Sequence, residues 1–285
     1  MNLLDGKLVS SKIKEEAKIK VDEIIEKYKK TPTLAVVMVG DNPASQVYVR
    51  NKIKACEKVG IKSVHIVLPE TITQKELENK VIELANDEEI NGILVQLPLP
   101  EGFDKDPVIE LIPQNKDVDG LTKENVADLV VGNEGIVPCT PKGVVDLLKF
   151  YNIDVEGKNV AIIGRSMLVG KPLFSLMTSL NATVTLCHSK TKNIEEITSK
   201  ADIVVCALGK AKFLKENMIR NGAVVIDVGI NKTDEGLVGD TDFDALKEKA
   251  SYITPVPGGC GPMTVAELLN NTIECFYKQQ KWMMS

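Results

Sequence analysis

A few polar side chains sit where periodicity and strand ends would favour apolar ones. In "ASQVYVRNKIKACEKVG" (44–60), Ser45, Tyr48, Lys52, Ala55, Cys56 and Val59 recur at spacings of three and four. Such residues share one helical face. The face is small or apolar except at Tyr48 and Lys52, and lysine is seldom buried without a reason. Two readings of Lys52 are open. It snorkels at the edge of the stripe with its amine in water, or it lines a cleft. In a cleft, desolvation favours the neutral amine and fits it for proton transfer near neutral pH. Tyr48, one turn away, packs either in the core or against a planar substrate. Gln96 interrupts "ILVQLPLP", and Asp117 and Asp119 follow in "PQNKDVDGLT". Ligands of open α/β sheets bind beyond the carboxyl ends of strands, and Gln96 is near such an end. An edge-strand glutamine and a helix-capping aspartate are the plain alternatives.

A second candidate site is "VAIIGRSMLVGKP" (160–172). A buried strand feeding a helix through a glycine turn gathers backbone N–H groups and the positive helix end, which makes an anion site. The usual G-x-G-x-x-G spacing is missing: Arg165 and Ser166 follow Gly164, and the next glycine is Gly170. Pro172 suits the first helical turn, where a missing N–H costs little. A plain strand–helix turn is the alternative. An NAD site usually carries Asp or Glu about twenty residues on, bonded to the ribose 2′-hydroxyl. Here that region reads "LCHSKT", with Cys187, His188 and Ser189 and no acid. A hydroxyl can donate to the 2′-phosphate of NADP and Arg165 can pair with it. Hydrogen bonds to a charged group are worth about 1.5–3 kcal/mol, hence roughly 10–150-fold in favour of NADP over NAD. His188 is either part of this site or an incidental strand-end residue.

The elements needed to position these groups are legible. Apolar runs at 34–39, 64–68 and 93–97 read as buried parallel strands. Helical patterns at 10–29, 44–59 and 74–86 accompany them. A second series has strands at 159–164, 183–187, 202–208 and 223–229, with helical stretches at 168–179, 193–200 and 213–217. A final helix over 263–281 follows "TPVPGGCGPMT" and is placed to pack back on the first domain. Alternating strands and helices define an α/β layer fold, and the length of 285 residues suits two domains. The boundary is expected between Asp119 and Thr140.

Composition excludes several classes. The net charge of −5 argues against a nucleic-acid binder. No apolar run is long enough to span a bilayer, and the N-terminus lacks a signal-peptide pattern. Six cysteines are scattered without C-x-x-C, and His65 and His188 are the only histidines. A zinc site or disulfide framework is therefore not expected; reduced, buried thiols in a cytoplasmic protein are.

Seven segments occur in one order: "YVRNKIKACEKVGI", "GILVQLPLP", "KDVDGLT", "PCTPKG", "GRSMLVGKP", "CHSKT" and "ITPVPGGCGPMT". Through them the chain resembles, over nearly its whole length, the bifunctional methylenetetrahydrofolate dehydrogenase/methenyltetrahydrofolate cyclohydrolase family. The resemblance implies two α/β domains flanking a cleft, the second a Rossmann-like NADP-binding domain. Residues 1–139 would form the folate-binding catalytic domain, completed by a C-terminal helix at 263–285, and residues 140–262 the NADP domain. It implies oxidation of 5,10-methylenetetrahydrofolate to the methenyl form with NADP, then hydrolysis to 10-formyltetrahydrofolate, a one-carbon donor for purine biosynthesis. By the same resemblance Lys52 is catalytic, Tyr48 packs on the folate, Gln96 holds the lysine in its reactive state and Asp119 anchors the pterin. Val95 and Leu97, with Pro257, Gly258 and Gly261 of the 257–262 loop, would line the substrate. Gly164, Arg165, Ser166, Ser189, Ile230 and Thr140 would bind the cofactor, no metal would be needed, and the enzyme would be a homodimer. Rival readings are a dehydrogenase without cyclohydrolase activity, an NADP-dependent dehydrogenase of another small substrate, and a non-catalytic nucleotide sensor.

Overall fold

The computed structural model describes residues 2–234 and 236–283; the ends of the expected 1–139 and 263–285 segments, Met1 and residues 284–285, lie outside them. In chain order the first half contains β1 (Asn2–Leu3), α1 (Gly6–Tyr28), β2 (Thr33–Val39), α2 (Pro43–Val59), β3 (Lys62–Leu68) and α3 (Gln74–Asn86). There follow β4 (Gly92–Val95), α4 (Lys105–Ile109), α5 (Lys123–Val131) and α6 (Cys139–Phe150). The second half contains β5 (Asn159–Ile163), α7 (Gly170–Ser179), β6 (Thr183–Cys187), α8 (Ile194–Thr198), β7 (Ile203–Cys206) and β8 (Val224–Asp227). It closes with β9 (Asn231–Thr233), β10 (Gly236–Val238), α9 (Phe243–Leu246), β11 (Tyr252–Ile253) and α10 (Cys260–Met283).

The chain divides into two compact units. One comprises Lys12–Cys139 with the chain from Val265 onward; the other comprises the residues through Ser11 with Thr140–Thr264. The N-terminal residues thus group with the later unit, because β1 pairs in parallel with β11.

The Lys12–Cys139 unit is built on a parallel sheet of order β3-β2-β4. Every residue of the central β2 is buried. Leu34, Val36 and Met38 meet one cluster that includes Ala17, Val21, Cys56, Leu269 and Phe276, whereas Ala35, Val37 and Val39 meet another with Leu77, Val81 and Leu84. That period-two division is what a strand covered on both faces requires, and it explains the uninterrupted apolar sequence. β3 is less buried than its apolar run implies because it is an edge strand. α3 begins where sequence chemistry dictates: Thr73 and Glu76 form a reciprocal capping box. The C-terminal helix supplies Leu268, Leu269, Ile273 and Phe276 to this core.

The other unit has a six-stranded parallel sheet of order β1-β11-β8-β7-β5-β6. From β5 the chain passes to β6 on one side and then returns to β7 on the other, so the topological switch falls between β5 and β7. That is the position at which open α/β sheets take ligands. The helix expected at 213–217 is a 3₁₀ turn at Glu216–Met218, and the β9–β10 hairpin was not legible in the hydrophobic pattern. No described helix is long and apolar enough to cross a membrane.

Candidate active site

Lys52 is half-buried on α2, and its Nζ donates to Gln96 Oε1 at 3.1 Å. Gln96 lies just past the carboxyl end of β4 and is buried. Its backbone N–H still donates to Val37 O, so the strand alignment extends to it. Its Nε2 donates to Leu97 O at 2.7 Å, which turns the amide oxygen toward the lysine. Lys52 is only half-buried, and its amine is hydrogen-bonded to a neutral acceptor at the strand end. Val95 is buried and Leu97 partly so on either side of Gln96.

Tyr48 is not part of the buried stripe. It is 44% exposed, and Val49 takes the core position instead. The helical projection placed Tyr48 inward because it is spaced three from Ser45 and four from Lys52. The actual core face runs through Ser45, Val49, Cys56 and Val59, leaving Tyr48 and Lys52 on its border. Core packing is excluded for Tyr48, and its ring is available to a planar ligand. Cys56, one turn from Lys52, is no competing nucleophile: burial pushes its thiol up to about 12.

Asp119 sits on a braced segment. Asp117 bridges to Ile93 beside β4, and its Oδ2 accepts from Thr122 N at 2.8 Å and Asn125 Nδ2 at 2.9 Å. Val118 O accepts from Asn271 Nδ2 at 2.9 Å and Cys139 Sγ at 3.4 Å. Gly120, at φ +65°, turns the chain against Ile136 O, where a Cβ would lie at 2.4 Å. Asn125, Asn271 and Cys139 are thus supporting residues that carry no sequence signal of their own. Burial raises the Asp119 carboxyl above its ordinary range; the Lys52 charge opposes the shift and Asp117 adds to it.

A stability prediction follows from that shift. A carboxyl whose folded pKa is raised contributes stability that is present below about 3.9, the unfolded value, and lost as pH rises through the folded value. At neutral pH, above the unfolded value, burying the Asp119 carboxyl is therefore a cost to the fold. Asp119→Asn should raise the melting temperature at pH 7, with the gain shrinking in acid. A melting temperature unchanged or lowered at pH 7 would contradict the assigned burial cost.

In the other unit the glycine turn has the geometry its residues suggested. Gly164 adopts φ +126°, and a Cβ there would meet Ala207 O at 2.2 Å; one on Gly170 would meet Gly164 O at 2.0 Å. Both glycines are required, the first for close approach of β5 to the chain leaving β7, the second for seating α7 on the turn. Gly164 N donates to Cys187 O at 2.9 Å, tying the turn to the end of β6. Arg165 and Ser166 are exposed on it, and Ser166 Oγ accepts from Val169 N. α7 begins at Gly170, two residues later than the pattern suggested.

The 188–191 turn is organised by its own side chains. His188 N donates to Thr191 Oγ1 at 2.8 Å, and Lys190 N donates to His188 Nδ1 at 3.2 Å. His188 is therefore a turn-forming residue, and the exposed Ser189 is presented beside it. No carboxylate stands in the 186–191 segment. Ile230 is 44% exposed, and a Cβ on Gly261 would lie 3.6 Å from its Cδ1. Thr140 and Thr264 share a hydroxyl hydrogen bond of 2.9 Å. Pro257 is exposed and Gly258 buried against Lys7. All six cysteines are buried and none forms a disulfide. Among the described residues no cluster of His, Cys, Asp and Glu could hold a metal ion.

A dinucleotide turn at a sheet switch point and a lysine held by a neutral amide at another strand end are the equipment of a nicotinamide-dependent enzyme. Comparison with known proteins narrows this class. Residues 4–119 match the catalytic domain, and residues 138–280 the NAD(P)-binding domain, of tetrahydrofolate dehydrogenase/cyclohydrolase. The "Bifunctional protein FolD" of Campylobacter concisus is 56% identical over 274 residues, 96% of each chain. The crystal structure of a bifunctional FolD enzyme from Campylobacter jejuni superposes with a TM-score of 0.96 at 49% identity, covering 98% of this chain and 99% of that one. The Trypanosoma brucei FolD enzyme, complexed with NADP and an inhibitor, gives 0.93 at 38% identity and 97% of both chains. The chain belongs to the tetrahydrofolate dehydrogenase/cyclohydrolase family.

Proposed function

We propose that this chain oxidises 5,10-methylenetetrahydrofolate to 5,10-methenyltetrahydrofolate with NADP and then hydrolyses the product to 10-formyltetrahydrofolate. The observation that carries the reading is the Lys52–Gln96 hydrogen bond in the unit that matches the catalytic domain. We assign folate to the Lys12–Cys139 unit and NADP to the unit containing Thr140–Thr264. Gly164, Arg165, Ser166, Ser189, Ile230 and Thr140 hold the cofactor, which supplies a hydride acceptor when bound. The fit rests on a turn that closes only without a Cβ, with an exposed guanidinium and one hydroxyl on it, and an exposed serine but no acid in the neighbouring turn.

The first step removes a hydride from a carbon between two nitrogens, whose lone pairs stabilise the developing cation. It asks the protein for position more than for an acid or base. Asp119 anchors the pterin by accepting from its N–H groups, and Tyr48 packs on the ring. Val95 and Leu97 line the folate. In the second step water adds to the methenyl carbon and loses a proton; the resulting carbinol O–H gives up its proton as the carbon–N5 bond breaks and N5 gains one, so one proton is released overall. Lys52 moves these protons. Gln96 suits that role because a neutral acceptor orients the amine without locking it in an ion pair, as a carboxylate would. Gln96→Glu should therefore slow hydrolysis well below wild type while leaving hydride transfer measurable; equal hydrolysis rates would refute the assignment.

The reading takes the enzyme as a cytoplasmic homodimer: its cysteines form no disulfide, as suits a reducing compartment, and β6 leaves one sheet edge open to a second copy. The test of function is to incubate the purified chain with methylenetetrahydrofolate and NADP and follow methenyl and 10-formyl products separately. Both should form in sequence; formation of neither would refute the proposal.

A further inference from the structure

Two fully buried aspartates lie beside the cofactor turn, and neither has been given a role. Asp240 accepts four hydrogen bonds. Leu208 N and Gly209 N donate to its Oδ2 at 2.6 and 2.9 Å; Lys210 N and Asn231 Nδ2 donate to its Oδ1 at 2.8 and 2.9 Å. Asp227, at the end of β8, also accepts four: Gly229 N and Asp240 N at Oδ1, Thr241 N and Thr241 Oγ1 at Oδ2. The packing around the pair is tight enough that only glycine fits. A Cβ on Gly229 would lie 2.1 Å from Asp240 Cγ, and one on Gly239 would lie 1.9 Å from Asp227 Oδ2.

One segment these carboxylates hold adjoins the dinucleotide turn, and the other carries Ile230, assigned above to the cofactor. Leu208–Lys210 follow the carboxyl end of β7, and Ala207 just before them carries the carbonyl on which Gly164 closes. Gly229 and Asn231 flank Ile230. One carboxylate therefore locks the chain leaving β7 to the chain leaving β8, and the second carboxylate locks the first. Three consecutive amide N–H groups converging on an anion form a rigid nest, with charge-assisted bonds stronger than neutral ones.

We infer that Asp240 is a positioning residue for the cofactor: by binding the Leu208–Lys210 amides and Asn231 it fixes the loops that must fit NADP around Gly164 and Ile230. The inference rests on the NADP reading above. It acts through backbone position and not through contact with the cofactor. A displacement of about 1 Å at such a site costs up to about 10²-fold.

Asp240→Asn keeps the size of the side chain and sets an amide NH₂ against N–H groups that need an acceptor. The KM for NADP should rise roughly 10- to 100-fold, with the KM for methylenetetrahydrofolate unchanged. NADPH titration by nicotinamide fluorescence should show the same weakening. A merely structural role would lower the melting temperature and the active fraction but leave the NADP KM of folded molecules at the wild-type value; that result overturns the inference. Should Asp240→Asn fail to fold, Asn231→Ala removes one of the four partners at a part-buried position and should raise the NADP KM several-fold, and an unchanged KM in that variant overturns the inference equally. Wild-type protein that does not bind NADPH would sink the cofactor reading, whereas wild type that binds and Asp240→Asn that binds as well would sink this inference alone.

Discussion

Lys52→Met should hydrolyse methenyltetrahydrofolate about 10²–10⁴-fold more slowly than wild type, the usual range for a lost general acid–base group. Methionine keeps most of the lysine stem's bulk and cannot carry a proton. The stem's surroundings are tolerant, since Lys52 is only half-buried at the border of the core face. The hydrogen bond it forfeits leaves Gln96 Oε1 without the lysine, at a cost of about 1–3 kcal/mol at most. The fold should survive, and circular dichroism checks this. Hydride transfer asks for geometry and not for this amine, so NADPH formation from methylenetetrahydrofolate should persist, reduced, and methenyltetrahydrofolate should accumulate. Normal hydrolysis by the variant would make Lys52 a bystander. Loss of both activities in folded protein would assign Lys52 to folate positioning instead.

Arg165→Ala should weaken NADP binding roughly 10–150-fold and NAD binding little, because only NADP carries the 2′-phosphate. The arginine is exposed on a turn whose backbone is fixed by Gly164 and Gly170, so its removal leaves the turn in place. Ser189→Ala should act in the same direction more mildly. His188 holds the Ser189 turn through its Nδ1, which separates the turn's shape from the serine hydroxyl's chemistry. Titration with both dinucleotides measures the ratio directly, and equal losses for NAD and NADP would remove the 2′-phosphate account.

The sequence revealed what periodicity and local chemistry control. Fully buried β2 announced itself as an unbroken apolar run, α3 by its amphipathic pattern over 74–86, and the switch-point turn by Gly164 and Gly170. Lys52 and Gln96 were visible because each is polar where its neighbours are not. Tyr48 was misplaced because a helix projection cannot tell the centre of a face from its border; Val49 takes the core position, in the cluster to which α1 and the C-terminal helix also contribute. The braces were invisible for a different reason. Asn125, Asn271 and Asp240 act on backbone groups of distant segments: Asn271 reaches Val118 and Asp240 reaches Leu208. An asparagine or aspartate in one-dimensional sequence gives no sign of which main-chain N–H or C=O it will satisfy. The β9–β10 hairpin failed for lack of apolar alternation: its strands are three residues each and little buried.

The proposed enzyme joins the hydrolytic step to hydride transfer in one chain, with Lys52 moving the protons. The most direct measurement supplies methenyltetrahydrofolate alone, without dinucleotide, and follows its conversion to 10-formyltetrahydrofolate. Hydrolysis should run far above the buffer rate for wild type and near the buffer rate for Lys52→Met. Wild-type hydrolysis no faster than buffer would contradict the proposal and leave a dehydrogenase only.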